Sequence, residues 1–357
     1  MKVYIKFITK IYLKSLFFVF AITFCLVFLM NVLSELEFFK DLGVGINFTL
    51  FLSLINSPSL IFDMFPFILL ISIQLLFVKF FENKEIDIFK YSGLKNSKIL
   101  TVISILSFLT GVFIIILFYN FSSNLKNLYL DLKSNYTNDG KYLAVINKNG
   151  LWIKDKINEK TIITNSRTIE GNYLFENFIT EFDEDFKLVR NIQSEKINIT
   201  ENTWLIENAK IYKNNNYEDI KRLSLNTNFN SKRIQTLYSN LSALNLFELY
   251  ELRDNYKKLS YSIIDIDLHI FKILLYPIFL LLIALFSSLI MLSTKEIKNI
   301  TLKILIGLFF SVIIYYLNNF SHALGTTERV PLIMSIISPM LLLASFNFLM
   351  LYKVNDK

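Results

Sequence analysis

The sequence predicts an α-helical polytopic membrane protein. Six transmembrane helices, three and three, flank an inserted extracytoplasmic β-domain of sandwich or jellyroll type. Three observations predict it. Hydrophobic residues make up 53% of the 357-residue chain, 35 of them Phe, and mean hydropathy is +0.45, above an ordinary soluble domain. Six apolar runs near twenty residues stand at about 13–33, 58–80, 98–119, 272–292, 300–320 and 331–352, each long enough to cross a bilayer core. Between the third and fourth lies a polar stretch, about 123–268, large enough to fold as a domain. The chain therefore divides into 1–122, 123–268 and 269–357.

The first run follows basic residues, as a signal peptide's would. It is too long for an h-region, and "MNVLSELE" offers no small-x-small cleavage site, so it reads as a retained helix. Cys25 within it is the single cysteine. That excludes an intramolecular disulfide or a cysteine-based zinc site, and Cys25 reads as packing filler. Lys2, Lys6, Lys10 and Lys14 are spaced four apart. On a helix they make a slowly drifting basic stripe, suited to anchoring or to an anionic leaflet.

Lysines also crowd the loop between spans two and three (Lys84, Lys90 and Lys95, flanked by Lys79 and Lys98), the loop between four and five (Lys295, Lys298) and the tail (Lys353, Lys357). The opposite loops hold only Lys40, beside Glu35, Glu37 and Asp41, and Arg329. This asymmetry puts both termini in the cytoplasm and 123–268 outside it. The net charge of +7 is then a topology signal, and no nucleic-acid partner is expected.

From Lys141 the pattern turns to short apolar and polar alternations. "KYLAVINKNGLWIKDK" reads as two strands joined at Asn149-Gly150, a dipeptide suited to a tight hairpin. "TIITNSRTIEGNYLF", "NFITEFDEDFKLVRNIQSEKINI" and "NTWLIENAKIYKN" continue in kind. Trp152 and Trp204 fall in strand-like runs and read as core. After about residue 231 the pattern is helical. No catalytic constellation emerges. His269 and His322 are the only histidines, Asp183 to Asp185 reads as a solvated turn, and neither G-x-x-x-x-G-K-[ST] nor G-x-S-x-G occurs. No catalytic residue, metal site or cofactor is expected in this chain.

"NKEIDIFKYSGLKNSKIL", residues 83–100, is a charged insert between two apolar spans. Asn83 to Ser92 can form a short helix. Gly93 suits its C-terminal cap, and Asn96-Ser97 offers an N-cap for the next span. Spacing alone leaves two readings: a stiff helix-break-helix element, or a polar loop that obeys the charge rule.

This stretch resembles the coupling helix of the LptF/LptG permease family, in which a Glu, a short helix, then a small residue and Gly recur, here Glu85 through Ser92-Gly93. "NSPSLIFDMFPFILL", with Pro58 and Pro66, resembles the family's second helix. "NGLWIKD" resembles the first strands of its β-jellyroll, more the LptG half. "HIFKILLYPI", with Lys272 and Pro277, resembles its fourth helix, and "VPLIMSIISPMLLLASF" its sixth. The order of these motifs along the chain carries the resemblance.

The resemblance implies a subunit of the bacterial inner membrane that extracts lipopolysaccharide. An LptF-like sister permease would share the cavity. An LptB-like cytoplasmic ATPase dimer would bind ATP-Mg and grip Glu85, Ile86, Phe89 and Gly93. The jellyroll, with Leu151, Trp152 and Ile153, would pass cargo to an LptC/LptA-like periplasmic bridge. The lipid cavity and its outer mouth would involve Ser34, Glu37, Lys40, Ser59, Asp63, Pro66 and Lys272. One departure stands out. Where the family's LptG half carries bases for lipid phosphates, this chain has Ser34 and Ser59, with Glu35, Glu37 and Asp63 nearby. Acidic groups repel phosphates unless a divalent cation bridges them or the sister permease supplies the bases.

Three other readings compete, one of the same broad class, one a sensor and one an intramembrane enzyme, for which Asp63, Asn318 and Asn319 supply no obvious reactive pair. A lipoprotein-release or efflux permease usually has four spans, with its outer domain after the first. A membrane sensor needs a cytoplasmic output domain, and the longest inner segment here is about twenty residues. The lysine asymmetry yields a direct prediction. In a Cys25-free chain, a single cysteine at position 215 labels with a membrane-impermeant reagent while the inner membrane is intact. Labelling only after that membrane is ruptured reverses the assigned topology.

Overall fold

A computed structural model describes residues 3–40, 42–134, 136, 151–157, 160–170, 172–213, 216–231, 234, 240–258, 263–295, 297 and 299–355. In chain order the elements are α1 (Val3–Phe39), α2 (Ile46–Glu82), the short α3 (Glu85–Tyr91), and α4 (Asn96–Phe113), which runs through a π-helical stretch, Ile114–Tyr119, into α5 (Asn120–Ser134). Then come β1 (Leu151–Ile157), β2 (Lys160–Glu170), β3 (Tyr173–Phe182), β4 (Leu188–Asn198), β5 (Thr203–Lys213) and β6 (Asn216–Asn226). A 3₁₀ turn (Leu241–Ala243), α6 (Leu246–Lys258), α7 (Ile264–Ser293), α8 (Ile300–Thr326) and α9 (Leu332–Asn355) complete the chain. Among the described residues six helical stretches are long and apolar enough to span a membrane: α1, α2, α4 through α5, α7, α8 and α9. The sheet is inserted between the third and fourth. The Asn149-Gly150 hairpin expected from sequence lies outside the described residues.

Two compact units result, residues 1–126 with 264–357, and residues 127–263. In the helical unit, α1 and α2 have 37 residues each. At 1.5 Å per residue that is about 55 Å, well beyond the hydrocarbon core. The basic N-terminal stretch is thus the first turns of α1 and not a separate surface helix. α4 starts at Asn96 after an N-cap at Lys95 that makes no side-chain capping bond. The Asn96-Ser97 cap expected from sequence does not form.

Apolar surroundings offer no water, so every backbone gap in these helices needs a protein partner. Pro66 has no N–H to give the carbonyl of Phe62, four residues back. The Tyr276 hydroxyl of α7 donates to that carbonyl at 2.9 Å, and the Phe62 and Tyr276 rings stack at 5.0 Å. Nearby, Ser287 Oγ donates to the Leu70 carbonyl at 2.9 Å. α1 and α2 are tied by amides: Asn31 Nδ2 donates to the Ser53 carbonyl and Asn56 Nδ2 to Asn31 Oδ1, while Lys126 Nζ of α5 donates to Asn56 Oδ1 at 2.7 Å. α4 meets α7 at Gly111, where a Cβ would lie 2.6 Å from Pro277 Cα. Gln74 of α2 is fully buried against Gly307 of α8, and neither atom of its amide head has a hydrogen-bond partner. Leu70, Ile283, Phe286, Ile290 and Leu343 form an apolar core that joins α2, α7 and α9.

The sheet unit is the inserted antiparallel β-domain expected from sequence. Its six described strands pair antiparallel in strict sequence order, β1 to β6, with no crossover. Connections of two to five residues leave neighbouring strands no choice but hairpins. Alternation holds only in halves. Glu176 and Asn208 have positive φ, 52° and 51°, and no ladder partner is recorded for either. In β3 the buried set passes from Leu174 to Asn177 and Ile179, and in β5 from Trp204 and Ile206 to Ala209 and Ile211. The register nevertheless runs unbroken past both, with Arg167 and Glu195 level with Glu176 and Lys221 level with Asn208, so the left-handed residue bends the strand and resets its parity without adding a residue relative to its neighbours. A strap after β6 then ties the sheet together. Asn228 donates from its backbone N and Nδ2 to the Asp155 carboxylate of β1, both at 2.8 Å. Trp204 Nε1 of β5 donates to the Phe229 carbonyl at 2.7 Å, and Ser231 N to the Ile199 carbonyl. Trp204 is core, as expected. Trp152 is 54% exposed, because β1 turns its neighbours inward instead. Asp183 and Asp185 sit in the β3–β4 turn, as expected, bonded to the Lys187 N–H and its ammonium.

The Tyr276 bridge is testable. Tyr276→Phe keeps the ring stack and strands the Phe62 carbonyl, which costs on the order of 1 kcal/mol. Replacing Pro66 by Ala in that background restores an N–H for the carbonyl. The single variant therefore loses thermal stability in detergent, and the double variant regains most of it.

Candidate functional site

Three places hold the residues singled out from sequence. The first is α3. Lys84, in the left-handed region at φ 56°, turns the chain out of α2. At the other end Gly93, φ 77°, closes the helix. Its N–H bonds the Lys90 carbonyl at 3.0 Å and Leu94 N–H bonds the Phe89 carbonyl at 2.9 Å. This pairing is the left-handed cap that a glycine accepts without strain. The two ends hold a seven-residue helix, shorter than the span from Asn83 to Ser92 read from sequence.

Two faces of α3 differ. Ile86 and Phe89 are buried. The Phe89 ring meets Phe7 of α1 edge-on at 6.1 Å and Phe80 of α2 at 5.7 Å. Phe80 joins Phe77, and Phe77 joins Phe81. The ammonium of Lys303 on α8 lies 4.3 Å over the Phe81 ring and donates to the Lys295 carbonyl. Thus α1, α2, α3 and α8 meet in one aromatic seat. Phe89 was expected to reach outward beside Glu85. It points into the bundle, because only an inward ring can be covered by Phe7 and Phe80 and withdraw its apolar area from water. The outward ridge is Ile88, 60% exposed, and Tyr91, 91% exposed. Sequence reasoning missed this pair, although their three-residue spacing places them on one helix face. Glu85 sits between the two faces. Its Oε1 accepts from Asn83 Nδ2 at 3.3 Å, and its Oε2 is shielded from solvent with no hydrogen-bond partner.

The second place lies along the middle of α2, several turns from α3. Asp63 of α2 and Lys272 of α7 pair at 3.6 Å, both partly exposed. With Pro66 they line a cavity of about 310 Å³ between α2, α7, α8 and α9. Tyr315, Asn318 and Asn319 of α8 complete its polar side, and Phe67, Leu70, Phe279 and Ile283 its apolar wall. The two asparagines, adjacent within an apolar run, were the available sequence signal for the α8 contribution. Ser34, Glu37, Lys40 and Ser59 are not among its lining residues. Ser34, Glu37 and Lys40 are exposed at the end of α1, whereas Ser59 is buried and donates to the Asn56 carbonyl at 3.2 Å.

The third place is the interior of the sheet. Leu151 and Ile153 are buried, opposite Ser166 and Thr164 of β2, while Trp152 faces the other way. Parity thus selects 151 and 153 as the inward set.

Comparison with known families places these features in one frame. The model of the lipopolysaccharide export system permease LptF/LptG matches residues 6–353. None of the curated proteins compared with it matches the chain. The family match runs through α1 to α9 and the inserted sheet alike, and one model describes both LptF and LptG. The chain belongs to the lipopolysaccharide export permease family LptF/LptG, and so is a transport component and not a catalyst.

Proposed function

We propose that this chain, as an LptG-like subunit, extracts lipopolysaccharide from the bacterial inner membrane within an ATP-driven complex. Both termini and α3 lie in the cytoplasm and the sheet unit lies in the periplasm, as the lysine asymmetry directs. An LptF-like sister permease completes the cargo cavity with α1, α2 and α8, and Ser34, Glu37, Lys40 and Ser59 stand near its outer mouth. An LptB-like ATPase dimer binds ATP-Mg, and no nucleotide sits in this chain. Cargo leaves through the sheet unit, past Leu151 and Ile153, to an LptC/LptA-like bridge. For that passage the strap at Asn228 and Phe229 has to release Asp155 and Trp204. The assignment to the LptG half is supported by "NGLWIKD".

One observation carries this reading: α3 has one face sealed and the other presented. The sealed face rests on the aromatic seat shared by α1, α2 and α8, so a displacement of α3 reaches α1 and α2 by direct contact and α8 through Phe81. The presented face offers Ile88 and the Tyr91 ring, with the Glu85 carboxylate at its edge. That is the composition of a helix held in another protein's groove. A stiff cap at Gly93 keeps the helix from fraying under load.

The variants separate grip from transmission. Glu85→Lys removes the carboxylate and adds a like charge toward a basic groove, a loss on the order of 2–5 kcal/mol at a desolvated pair. Tyr91→Ala costs about 2 kcal/mol where the ring is an anchor. Both reduce ATPase co-purification while the sister permease stays bound. Phe89→Ala retains the ATPase and lowers export, because the seat has lost its central ring. Gly93→Val has open space around the new side chain, so it suffers only the positive φ, about 1–3 kcal/mol. Parental ATPase recovery and export in the Glu85→Lys, Tyr91→Ala double variant overturn the coupling role of α3.

A further inference from the structure

The cavity between α2, α7, α8 and α9 lies inside one subunit and carries charges of both signs at its rim. A purely apolar cavity takes any acyl chain, and a lone cation favours any lipid phosphate. Asp63 and Lys272 impose more. Their charged atoms are 3.6 Å apart, and the side chains are 57% and 40% exposed. A pair this loose can part for a ligand, but only if both charges are compensated afterwards. A head group with a phosphate and a primary ammonium a few atoms apart does this. Its phosphate meets Lys272, its ammonium meets Asp63, and no charge is left over. An anionic lipid leaves Asp63 facing a like charge. A quaternary ammonium cannot donate a hydrogen bond to the carboxylate. Asn318, Asn319 and Tyr315 supply further donors and acceptors beside the pair.

Below the rim, Pro66, Phe67, Leu70, Phe279 and Ile283 form an apolar wall. The order of polar and apolar lining matches that of a lipid standing in one leaflet. The volume of about 310 Å³ falls at the small end of ligand sites, roughly 300–1,000 Å³. It holds a head group and the upper part of one chain, not the bulk of a multi-chain glycolipid.

We propose that this cavity is a binding site for a phospholipid with a primary-ammonium, zwitterionic head group of the phosphatidylethanolamine kind, held by Asp63 and Lys272. The site goes beyond the export reading, since it assigns the cavity a lipid other than the cargo. It rests only on the chain's membrane-spanning helices.

The test uses the full-length protein in the complex with which it purifies, in nanodiscs of equal phosphatidylethanolamine, phosphatidylcholine and phosphatidylglycerol. A benzoylphenylalanine replaces Phe67 in the cavity wall, and in a second sample Phe17, which is 73% exposed on α1. Irradiation and mass spectrometry then count the lipid classes attached. Phosphatidylethanolamine is enriched about tenfold at position 67, as two charge-assisted hydrogen bonds imply, and is not enriched at position 17. Asp63→Asn, nearly isosteric and partly exposed, brings position 67 to the proportions of position 17 without lowering thermal stability. Equal proportions at both positions, enrichment of phosphatidylglycerol, or enrichment that survives Asp63→Asn each overturn the proposal. Displacement of the phospholipid by an equal mole fraction of lipopolysaccharide also overturns it, because the cavity then belongs to the cargo route. The Glu85 and Tyr91 variants test the export reading independently, so one can fail without the other.

Discussion

The helical unit depends on a bond that supplies what a proline withholds. In hydrocarbon an unanswered carbonyl has no water to turn to, and α2 carries two prolines along its apolar length. The Tyr276 hydroxyl answers the carbonyl that Pro66 leaves open. That single contact fixes the rotation of α7 about its axis, since the ring must also stack on Phe62. With α7 so turned, Lys272, one turn earlier, comes to Asp63, and Pro277, one residue later, comes to Gly111. The cavity, its ion pair and the Gly111 crossing of α4 and α7 all follow from the turn of α7 that this contact sets.

The sequence spoke most clearly where the physics is one-dimensional. Span count follows from apolar run length, so six runs became six spans. The break at Gly93 was legible because few other residues tolerate its φ. Sidedness within short elements was less so. Phe89 and Tyr91 are both aromatic, both near the end of a seven-residue helix, and differ by two positions. Which one is buried depends on Phe7, more than eighty residues away in sequence. The α8 part of the cavity was hidden for a similar reason, since Tyr315, Asn318 and Asn319 acquire a role only when α2 and α7 face them. In the sheet, alternation breaks at Glu176 and Asn208, so a period-two reading of β3 or β5 is right for half the strand and inverted for the rest. The strap was illegible because Asp155 and Asn228 are ordinary loop-favouring residues until the sheet bends.

Mechanically, the α3 seat stands at the C-terminal end of α2 and the cavity at its middle turns, with Gln74 between them. A fully buried amide with neither head atom bonded is costly in an apolar interior. It lies against the one residue type on α8 that leaves room for it, Gly307. One turn further along α8 toward the cavity stands Ser311, whose hydroxyl returns to the Leu308 carbonyl of its own helix. The resting contact between α2 and α8 is thus polar on one side and bare on the other. It adds little to hold the two helices in a fixed register.

The left-handed bend residues of the sheet govern how this domain can change over generations. A strand with a left-handed residue at a bend has its inward set defined separately on each side of that bend. Deleting Glu176 alone would exchange faces for half of β3, exposing Asn177 and Ile179 and turning Phe178 and Thr180 inward. β4 and β5, paired in turn beside it, would have to shorten at the same level to restore the match. Length changes within the strands are therefore selected only in concert, whereas the short hairpin turns can gain or lose residues one at a time. Homologous sheets should differ in the length of their turns long before they differ in the length of their strands.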